Sequence, residues 1–314
     1  MLNGQRTFLD AITKYGANHG IQVDIRSDGW LVVMRSGPKR RFAFGYDLGL
    51  NSAVAHRIAN DKAATVDVLQ LSGVPCVPHA LFFSPQMSEF IPPQRSWTAM
   101  IAMLGENPNG IIVKPNEGTS GDSVFKVSTE PELELAAHRI FSSNLSLAIS
   151  PYLDIENEVR VVLLDQRPLV VYGKNRPAIV GDGQRTLLEL ALAATPAELR
   201  STVLSAMASD LDRAALDSVP RSGERRLLSW RHNLDKGARP VVLERGEIRD
   251  ACVEIAAQAA TAIGIRFGSI DVVQVNGRWQ ILEINSGVMM EALGRLHPEL
   301  VYAAYSAALD KVFD

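Results

Sequence analysis

The stretch of sequence that decides the fold is GSIDVVQVNGRWQILEIN, residues 268–285, near the end of the 314-residue chain. It contains two apolar runs on either side of the dipeptide Asn276-Gly277. Asn-Gly between two such runs is the strongest short-range signal for a β-hairpin, because both residues tolerate a positive φ. The sequence therefore predicts two antiparallel strands joined at this dipeptide.

Polar residues interrupt the apolar runs of this hairpin. Asp271 lies in the first run, and Glu283 and Asn285 end the second. A carboxylate in a buried strand is costly unless it is paired or binds a metal, and two carboxylates with an amide oxygen suit Mg²⁺. A two-residue turn would pair Asp271 with Leu282 and put the carboxylates on opposite faces, so we predict a three-residue loop over 275–277 that makes them converge. The alternative is a solvent-facing polar side of an edge hairpin.

A second motif lies upstream, in GIIVKPNEGTSG at 110–121. Lys114 ends a hydrophobic run, and the loop after it contains Gly118, Thr119, Ser120 and Gly121. Small residues let a backbone lie close to a ligand and direct N–H groups at phosphate oxygens. The loop lacks the Gly-Lys-Ser/Thr of a Walker A motif, and an ordinary polar hairpin turn is the alternative.

Composition excludes several classes of protein. The formal net charge is -3, which gives no basic field for nucleic acid. The two cysteines, Cys76 and Cys252, form no disulfide or zinc pattern, as expected in a reducing compartment. The first residues carry scattered charges and no apolar run reaches transmembrane length, so we expect a cytoplasmic protein without a membrane partner.

Helical periods alternate with short Val- and Ile-rich runs along the whole chain, which indicates an α+β fold. The sequence predicts helical structure from 186 to about 218, with one capping box at Thr186 and Glu189 and a second at Thr195 and Glu198, where Pro196 takes the first helical position. It also suggests a link between lobes at 88–94. We expect a small N-terminal α/β domain at 1–59, a first lobe with the glycine-rich loop at 60–151, and a second lobe with the metal site at 152–314.

The order of these motifs resembles the ATP-grasp superfamily. The pieces are NDKAAT at 60–65, IIVKPNEGTSG at 111–121, AISPYLDIENEVRVV at 148–162, and SIDVVQV with ILEINSG at 269–287. IVGDGQRTLLEL and RHNLDKGA are further similar to the branch of glutathione synthetase, ribosomal-protein glutamate ligases and cyanophycin synthetase. The resemblance implies two α/β lobes that clamp ATP, behind a small N-terminal domain.

The resemblance also implies roles for individual residues. Those expected to bind ATP are Lys62, Lys114, Gly118, Thr119, Ser120, Gly121, Tyr152, Leu153 and Glu158. Glu158 would bind the ribose, and the hinge reads Ile149-Ser150-Pro151 where many relatives carry a glutamate, so backbone would contact adenine there. Those expected near the reacting groups are Arg160, Arg176, Asn233 and Lys236. Asp271, Glu283 and Asn285 would hold Mg²⁺, and Mn²⁺ suits the same ligands.

The implied activity is ligation of a carboxylate to an amine through an acyl phosphate, with an amino acid or small peptide as substrate. Arg176 could orient a substrate carboxylate or be a solvated strand-end charge, and Glu291 could contact an amine. An ATP-grasp kinase and a non-catalytic nucleotide-binding module are the alternatives. No feature of the sequence excludes a homodimer.

Overall fold

The computed structural model describes residues 6–90, 95–118 and 123–314, with the backbone alone at 88, 89 and 198. Backbone contacts divide the chain into two compact units, Met1–Val171 with Glu244–Asp314, and Tyr172–Leu243. The lobe boundaries expected after residues 59 and 151 do not coincide with the limits of these units and remain predictions. No helix in the described residues is long and apolar enough to cross a membrane.

The α-helices of the described residues alternate with the strands along the chain. They are α1 (Thr7–His19), α2 (Ala53–Asn60), α3 (Lys62–Leu71), α4 (Trp97–Glu106), α5 (Glu130–Phe141), α6 (Leu187–Ala194), α7 (Arg200–Asp210), α8 (Arg213–Asp217), α9 (Glu247–Ile263), α10 (Glu291–Gly294) and α11 (Pro298–Phe313). The strands are β1 (Gln22–Arg26), β2 (Leu31–Ser36), β3 (Lys39–Phe44), β4 (Ala80–Phe83), β5 (Ile111–Pro115), β6 (Phe125–Val127), β7 (Ser146–Pro151), β8 (Asn157–Leu164), β9 (Arg167–Asn175), β10 (Ala178–Val180), β11 (Arg225–Leu227), β12 (Arg239–Val242), β13 (Phe267–Val275) and β14 (Arg278–Asn285).

The N-terminal part of the first unit is an antiparallel meander, β1-β2-β3, with α1 beside it. Helix α1 packs on the C-terminal helix α11 through an edge-on contact of Phe8 with Tyr305, whose ring centroids are 5.1 Å apart. The hydroxyl of Tyr15 donates a 2.7 Å hydrogen bond to Asp310 in the same contact. Helices α1 and α11 therefore lie together in this unit.

A four-stranded antiparallel sheet of order β4-β7-β5-β6 follows in the first unit. One of its faces packs on α4 and α5 through a closed apolar core that includes Val113, Leu133 and Ile149. Side chains alternate across a strand, so Lys114 lies on the other face of the sheet from Val113. The expected strand ending in Lys-Pro is confirmed, and its lysine faces away from the helical core.

A second sheet of the first unit has the order β9-β8-β13-β14, with α9 packed against it. The predicted hairpin at Asn276-Gly277 is present, but the predicted three-residue loop is wrong. Val275 pairs with Arg278, and both turn residues have positive φ, so the turn has two residues. A β-bulge in β14 then lets Glu283, rather than Leu282, pair with Asp271.

A long-range contact with the segment before β4 accompanies the bulge. Ile281, the residue before the bulge, accepts a 2.8 Å hydrogen bond from the N–H of Val77 and donates one of 2.9 Å to the carbonyl of Pro75. Local turn chemistry sets the hairpin, and the contact with residues 75–77 accompanies the shift of its register. The carboxylates thus converge, although the mechanism expected from the sequence was different.

The second unit contains the end of β9, β12 paired with it, a two-stranded antiparallel sheet of β10 and β11, and helices α6 to α8. The predicted capping box of α6 is confirmed, because Thr186 accepts from the N–H of Glu189 and the Glu189 carboxylate accepts in return. The predicted helical region from 186 to about 218 is present as α6, α7 and α8. The second predicted helix start, with Thr195 as its cap, is wrong, because Thr195 ends α6 and Pro196 precedes a 3-10 turn, Ala197–Leu199. Thr195 is extended before Pro196, as expected for a residue preceding proline, and Asp212 caps a new helix.

Candidate functional site

The centre of the candidate site is a row of charged residues across β8, β13 and β14. Arg160, Asp271 and Glu283 are cross-strand neighbours, so their side chains share one face of the sheet. The guanidinium of Arg160 donates two hydrogen bonds of 2.7 Å to the two carboxylate oxygens of Asp271. Both side chains are largely buried, at 13% and 5% exposure. This bidentate pair explains how Asp271 can be ionised inside a sheet.

The next cross-strand row joins Ser269 to Asn285. Both residues are buried, and among the described residues neither Oγ of Ser269 nor Nδ2 of Asn285 has a hydrogen-bond partner. Buried polar atoms without partners are rare and costly, and they are typical of sites that bind a ligand or ion. The end of β14 therefore presents unused hydrogen-bonding groups beside the two carboxylates.

Lys114 is the most strongly perturbed cation of the site. It is 7% exposed at the end of β5, and burial lowers its pKa from 10.5 to about 8. The carboxylates of Glu283 and Glu158 oppose this change, whereas the ammonium of Lys62 adds to it. Four predicted site residues from β5, α3, β8 and β14 are thus close enough to act on one another electrostatically.

Lys62 connects the start of α3 to the loop after β5. Its ammonium donates hydrogen bonds to the carbonyls of Gly118, at 3.0 Å, and Asn116, at 3.3 Å. The amide oxygen of Asn116 in turn accepts from the N–H of Ala63 in the first turn of α3. The lysine therefore lies at the base of the glycine-rich loop, while the predicted residues Thr119, Ser120 and Gly121 are outside the described part of the chain.

The predicted hinge, Ile149-Ser150-Pro151, forms the end of β7, and Tyr152 and Leu153 follow it. The N–H of Tyr152 donates to the carbonyl of Gly110 at 3.0 Å, and the ammonium of Lys126 lies 3.6 Å from the centroid of the Tyr152 ring. Leu153 packs with Leu282 and Ile155 against a cluster of buried valines, Val77, Val273 and Val275. Beside the polar groups, the site thus has an apolar wall of the kind that a planar ring requires.

The other predicted reacting residues, Arg176, Asn233 and Lys236, lie in the second unit. Arg176 follows the end of β9 and is partly buried. Asn233 caps a short 3-10 turn, where its side chain accepts from the N–H of Asp235 at 2.7 Å, and Lys236 ends the same turn. Their predicted roles remain predictions.

Glu291, which the sequence suggested as a contact for an amine, binds the start of helix α1. Glu291 accepts hydrogen bonds from the N–H groups of Thr7, at 2.7 Å, and Phe8, at 3.3 Å. A carboxylate at this position caps the first turn of α1 and complements its dipole. Glu291, at the start of α10, therefore links this helix to α1.

One buried residue of the site was missed by the sequence analysis. His79 precedes β4, and Lys114 and Lys62 both help to lower its pKa well below the usual value, after burial as the main cause. A single histidine after a proline carries no motif, so only the packing identifies it.

A cavity of about 650 Å³ lies beside α4 and α5 and is lined by residues that include Trp97 and Phe141. It contains none of the predicted site residues.

The residues present fit a hard cation such as Mg²⁺. Asp271 and Glu283 are direct cross-strand partners, and Asn285 lies on the same face two residues along β14, with an amide oxygen of the kind that binds hard cations. No cluster of three or more His, Cys, Asp or Glu side chains arranged to hold a metal occurs in the described ranges. A cation held here would therefore need further oxygen ligands from its substrate, which is the usual situation for Mg²⁺.

Solved structures confirm the predicted ATP-grasp fold and its α+β class. A bifunctional glutathione synthetase from Pasteurella multocida matches with a TM-score of 0.52 and 16% identity, over 94% of this chain and 44% of that chain. D-alanine–D-alanine ligase from Bacillus anthracis matches with 0.52 and 14%, over 83% and 71%. VanG D-Ala:D-Ser ligase from Enterococcus faecalis matches with 0.52 and 12%, over 84% and 64%.

The chain thus spans less than half of the glutathione synthetase that it matches. No protein-family model and no curated protein matches its sequence. At identities of 16% or less, these likenesses define the fold.

Proposed function

We propose that this chain is an ATP- and Mg²⁺-dependent ligase that joins a carboxylate to an amine through an acyl phosphate, with release of ADP and phosphate. The fold supports this proposal, since the similar structures named above are all described as ligases or synthetases of small peptides. Amino acids or small peptides are the proposed substrates.

The observation that carries the proposal is the placement of Lys114. A fully buried ammonium disfavours the folded protein unless an anion joins it, and here its pKa is already lowered to about 8. A polyphosphate would supply negative charge to Lys114 and Lys62 together. Glu283 lies within electrostatic reach of the same ammonium, so a nucleotide tail and a cation-binding carboxylate would meet at one place.

The nucleotide would lie beside the row of charged residues in the first unit. Lys62 and Lys114 are the proposed partners of its phosphates, together with the backbone N–H groups expected from the glycine-rich loop. Glu158 binds the ribose hydroxyls. The base lies beside Tyr152 and Leu153, where the apolar wall of the site excludes water.

The carboxylates hold the cation and define the reacting end. Bound Mg²⁺, or Mn²⁺ in its place, supplies positive charge that neutralises the phosphates as charge spreads in phosphoryl transfer. Asp271, Glu283 and Asn285 are its proposed ligands. Because Arg160 donates to both oxygens of Asp271, we expect its guanidinium to share that carboxylate or turn to the phosphates when the cation binds.

The reaction consists of two displacements. A substrate carboxylate oxygen attacks the γ-phosphorus, the bond to the β-phosphate oxygen breaks, and ADP leaves. The amine nitrogen then attacks the acyl carbon, inorganic phosphate leaves with the carboxylate oxygen, and the nitrogen loses a proton to solvent. Arg160, Asn233 and Lys236 are the proposed stabilisers of the phosphoryl group, and Arg176 is the proposed partner of the substrate carboxylate.

The test is a phosphate-release screen over pairs of amino acids and dipeptides with MgATP, in which the amide product is identified by mass spectrometry. We expect phosphate and product only when both substrates are present. Glu283→Gln is expected to be inactive, whereas Glu254→Gln, an exposed glutamate of α9, serves as the matched control and remains active.

Either of two results would contradict the proposed ligase activity and indicate a different function. Formation of ADP without free phosphate, from a single substrate that becomes phosphorylated, would make the protein a kinase. Tight MgATP binding without turnover over the whole panel would make it a nucleotide-binding module.

A further inference from the structure

His79 lies where the chain passes between the two sheets of the site. Two residues before it, the N–H of Val77 bonds to Ile281 next to the bulge of β14. One residue after it, Ala80 begins β4 and pairs with Ile149 of β7. His79 is 9% exposed, so the ring is enclosed between the hairpin that carries Glu283 and the sheet that carries Lys114.

The residue next to His79 shows on which face of the sheet His79 lies. Ala80 packs on the apolar core under α4 and α5, together with Ile149 and Val113. Since successive residues of an extended chain alternate, His79 lies on the opposite face, as Lys114 does. The effect of Lys114 and Lys62 on the pKa of His79 agrees with this placement.

The hydrogen bond of the ring fixes its tautomer. Nδ1 lies 2.9 Å from the carbonyl oxygen of Val77, which can only accept, so Nδ1 carries the proton. Burial and the two lysines hold the pKa well below its usual value, so the ring is neutral at physiological pH. Nε2 is therefore a lone-pair acceptor, and it is buried without a partner among the described residues.

A bound molecule must bring a donor to satisfy this atom. Phosphate oxygens only accept, so the triphosphate cannot do so. The apolar wall formed by Val77, Val273 and Leu153 starts two residues away from His79, which places the flat part of a nucleotide near the ring. The hinge Ile149-Ser150-Pro151 on the neighbouring strand has no carboxylate that could accept from a base. An exocyclic amino group of the base is the donor that fits.

We propose that His79 selects the base of the nucleotide, with Nε2 accepting a hydrogen bond from the 6-amino group of adenine. A 6-keto purine would place its oxygen, an acceptor, against this acceptor and leave both unpaired. This inference rests on the proposed function, because it needs a nucleotide bound at the site, and it adds the residue that makes the site specific for ATP.

The test compares the dissociation constants of ATP, inosine 5′-triphosphate and purine riboside 5′-triphosphate by isothermal titration calorimetry. Inosine triphosphate carries a 6-keto group, and purine riboside triphosphate has only hydrogen at that position. We expect the wild type to bind ATP at least about tenfold more tightly than inosine triphosphate, with purine riboside triphosphate between them. In His79→Phe the preference should fall to within about threefold. His138→Phe, the same change at an exposed histidine of α5, should keep it.

The outcomes separate the two proposals. Equal binding of ATP and inosine triphosphate by the wild type, or an unchanged preference in His79→Phe, overturns the role of His79 while the proposed function stands. Absence of binding of every nucleotide by the wild type overturns both. If His79→Phe does not fold, His79→Leu, which also removes the acceptor, should bring the affinities for ATP and inosine triphosphate to within about threefold, and an unchanged preference in that variant would count against the inference.

Discussion

Replacing Lys114 with methionine should stabilise the ligand-free protein while it removes nucleotide binding. The pKa of Lys114 is lowered from 10.5 to about 8, chiefly by burial. At about 1.4 kcal/mol per pKa unit, this difference disfavours the ammonium in the folded state by about 3 kcal/mol. Methionine has a similar length and no charge, so Lys114→Met should raise the free energy of unfolding at pH 7 by about 2–3 kcal/mol.

The stability difference between Lys114→Met and the wild type should also depend on pH. Below pH 8 Lys114 is charged in both the folded and the unfolded chain. The full free energy of burying its ammonium then lowers the stability of the folded wild type. Between the lowered pKa and 10.5 the unfolded chain binds more protons than the folded one, so wild-type stability rises with pH relative to the variant. The gap between Lys114→Met and the wild type should therefore shrink as the pH rises through this window and vanish above it.

The assay is urea denaturation without nucleotide at several pH values between 7 and 10.5, the ordinary pKa of lysine. Lys126→Met, an exposed lysine on the neighbouring strand β6, is the control and should change stability by less than about 1 kcal/mol. A variant less stable than the wild type at pH 7, or a gap that does not change with pH, would refute the reasoning about the buried ammonium.

Three further changes follow from the contacts of the first unit. Asp271→Asn removes the charge that accepts both 2.7 Å hydrogen bonds from the buried guanidinium of Arg160 and should cost about 3 kcal/mol in urea denaturation. It should also abolish metal-dependent turnover, and a loss of stability under about 1 kcal/mol would contradict the prediction. Asn51→Ala removes three side-chain hydrogen bonds to the backbone at the start of β13, of 2.7, 2.9 and 3.1 Å, and should cost about 2–3 kcal/mol by the same measurement. Glu291→Ala removes the cap of α1 and should lower the free energy of unfolding by about 1 kcal/mol in thermal denaturation. The KM for the amine should be unchanged, and a raised KM would indicate that Glu291 contacts the amine.

Much of the fold could be predicted from the sequence because its signals are local. Asn276-Gly277 predicts the hairpin, Thr186 with Glu189 predicts the start of α6, and the apolar run before Lys114 predicts β5. Each depends on backbone preferences that neighbouring residues set. The order of these elements was enough to suggest the ATP-grasp fold.

The features that sequence reasoning missed depend on contacts between distant segments. The register of the hairpin is changed by a bulge that accompanies pairing of Ile281 with residues 75–77, more than 200 positions away. His79 matters because packing closes its ring between two sheets, and no local pattern encodes that. The helical region at 186–218 could be predicted from the sequence, but Thr195 ends α6 and does not cap the next helix, since a residue before proline favours extended backbone.

Titration of MgATP into the wild type, Lys114→Met and Glu283→Gln by isothermal calorimetry tests the central claim most directly. If lysines and carboxylates close around one nucleotide, each change should weaken binding at least about tenfold, or about 1.4 kcal/mol. Lys311→Met, at an exposed lysine of α11 paired with Asp314, should leave the affinity unchanged. Equal affinity of MgATP for all four proteins would contradict the account.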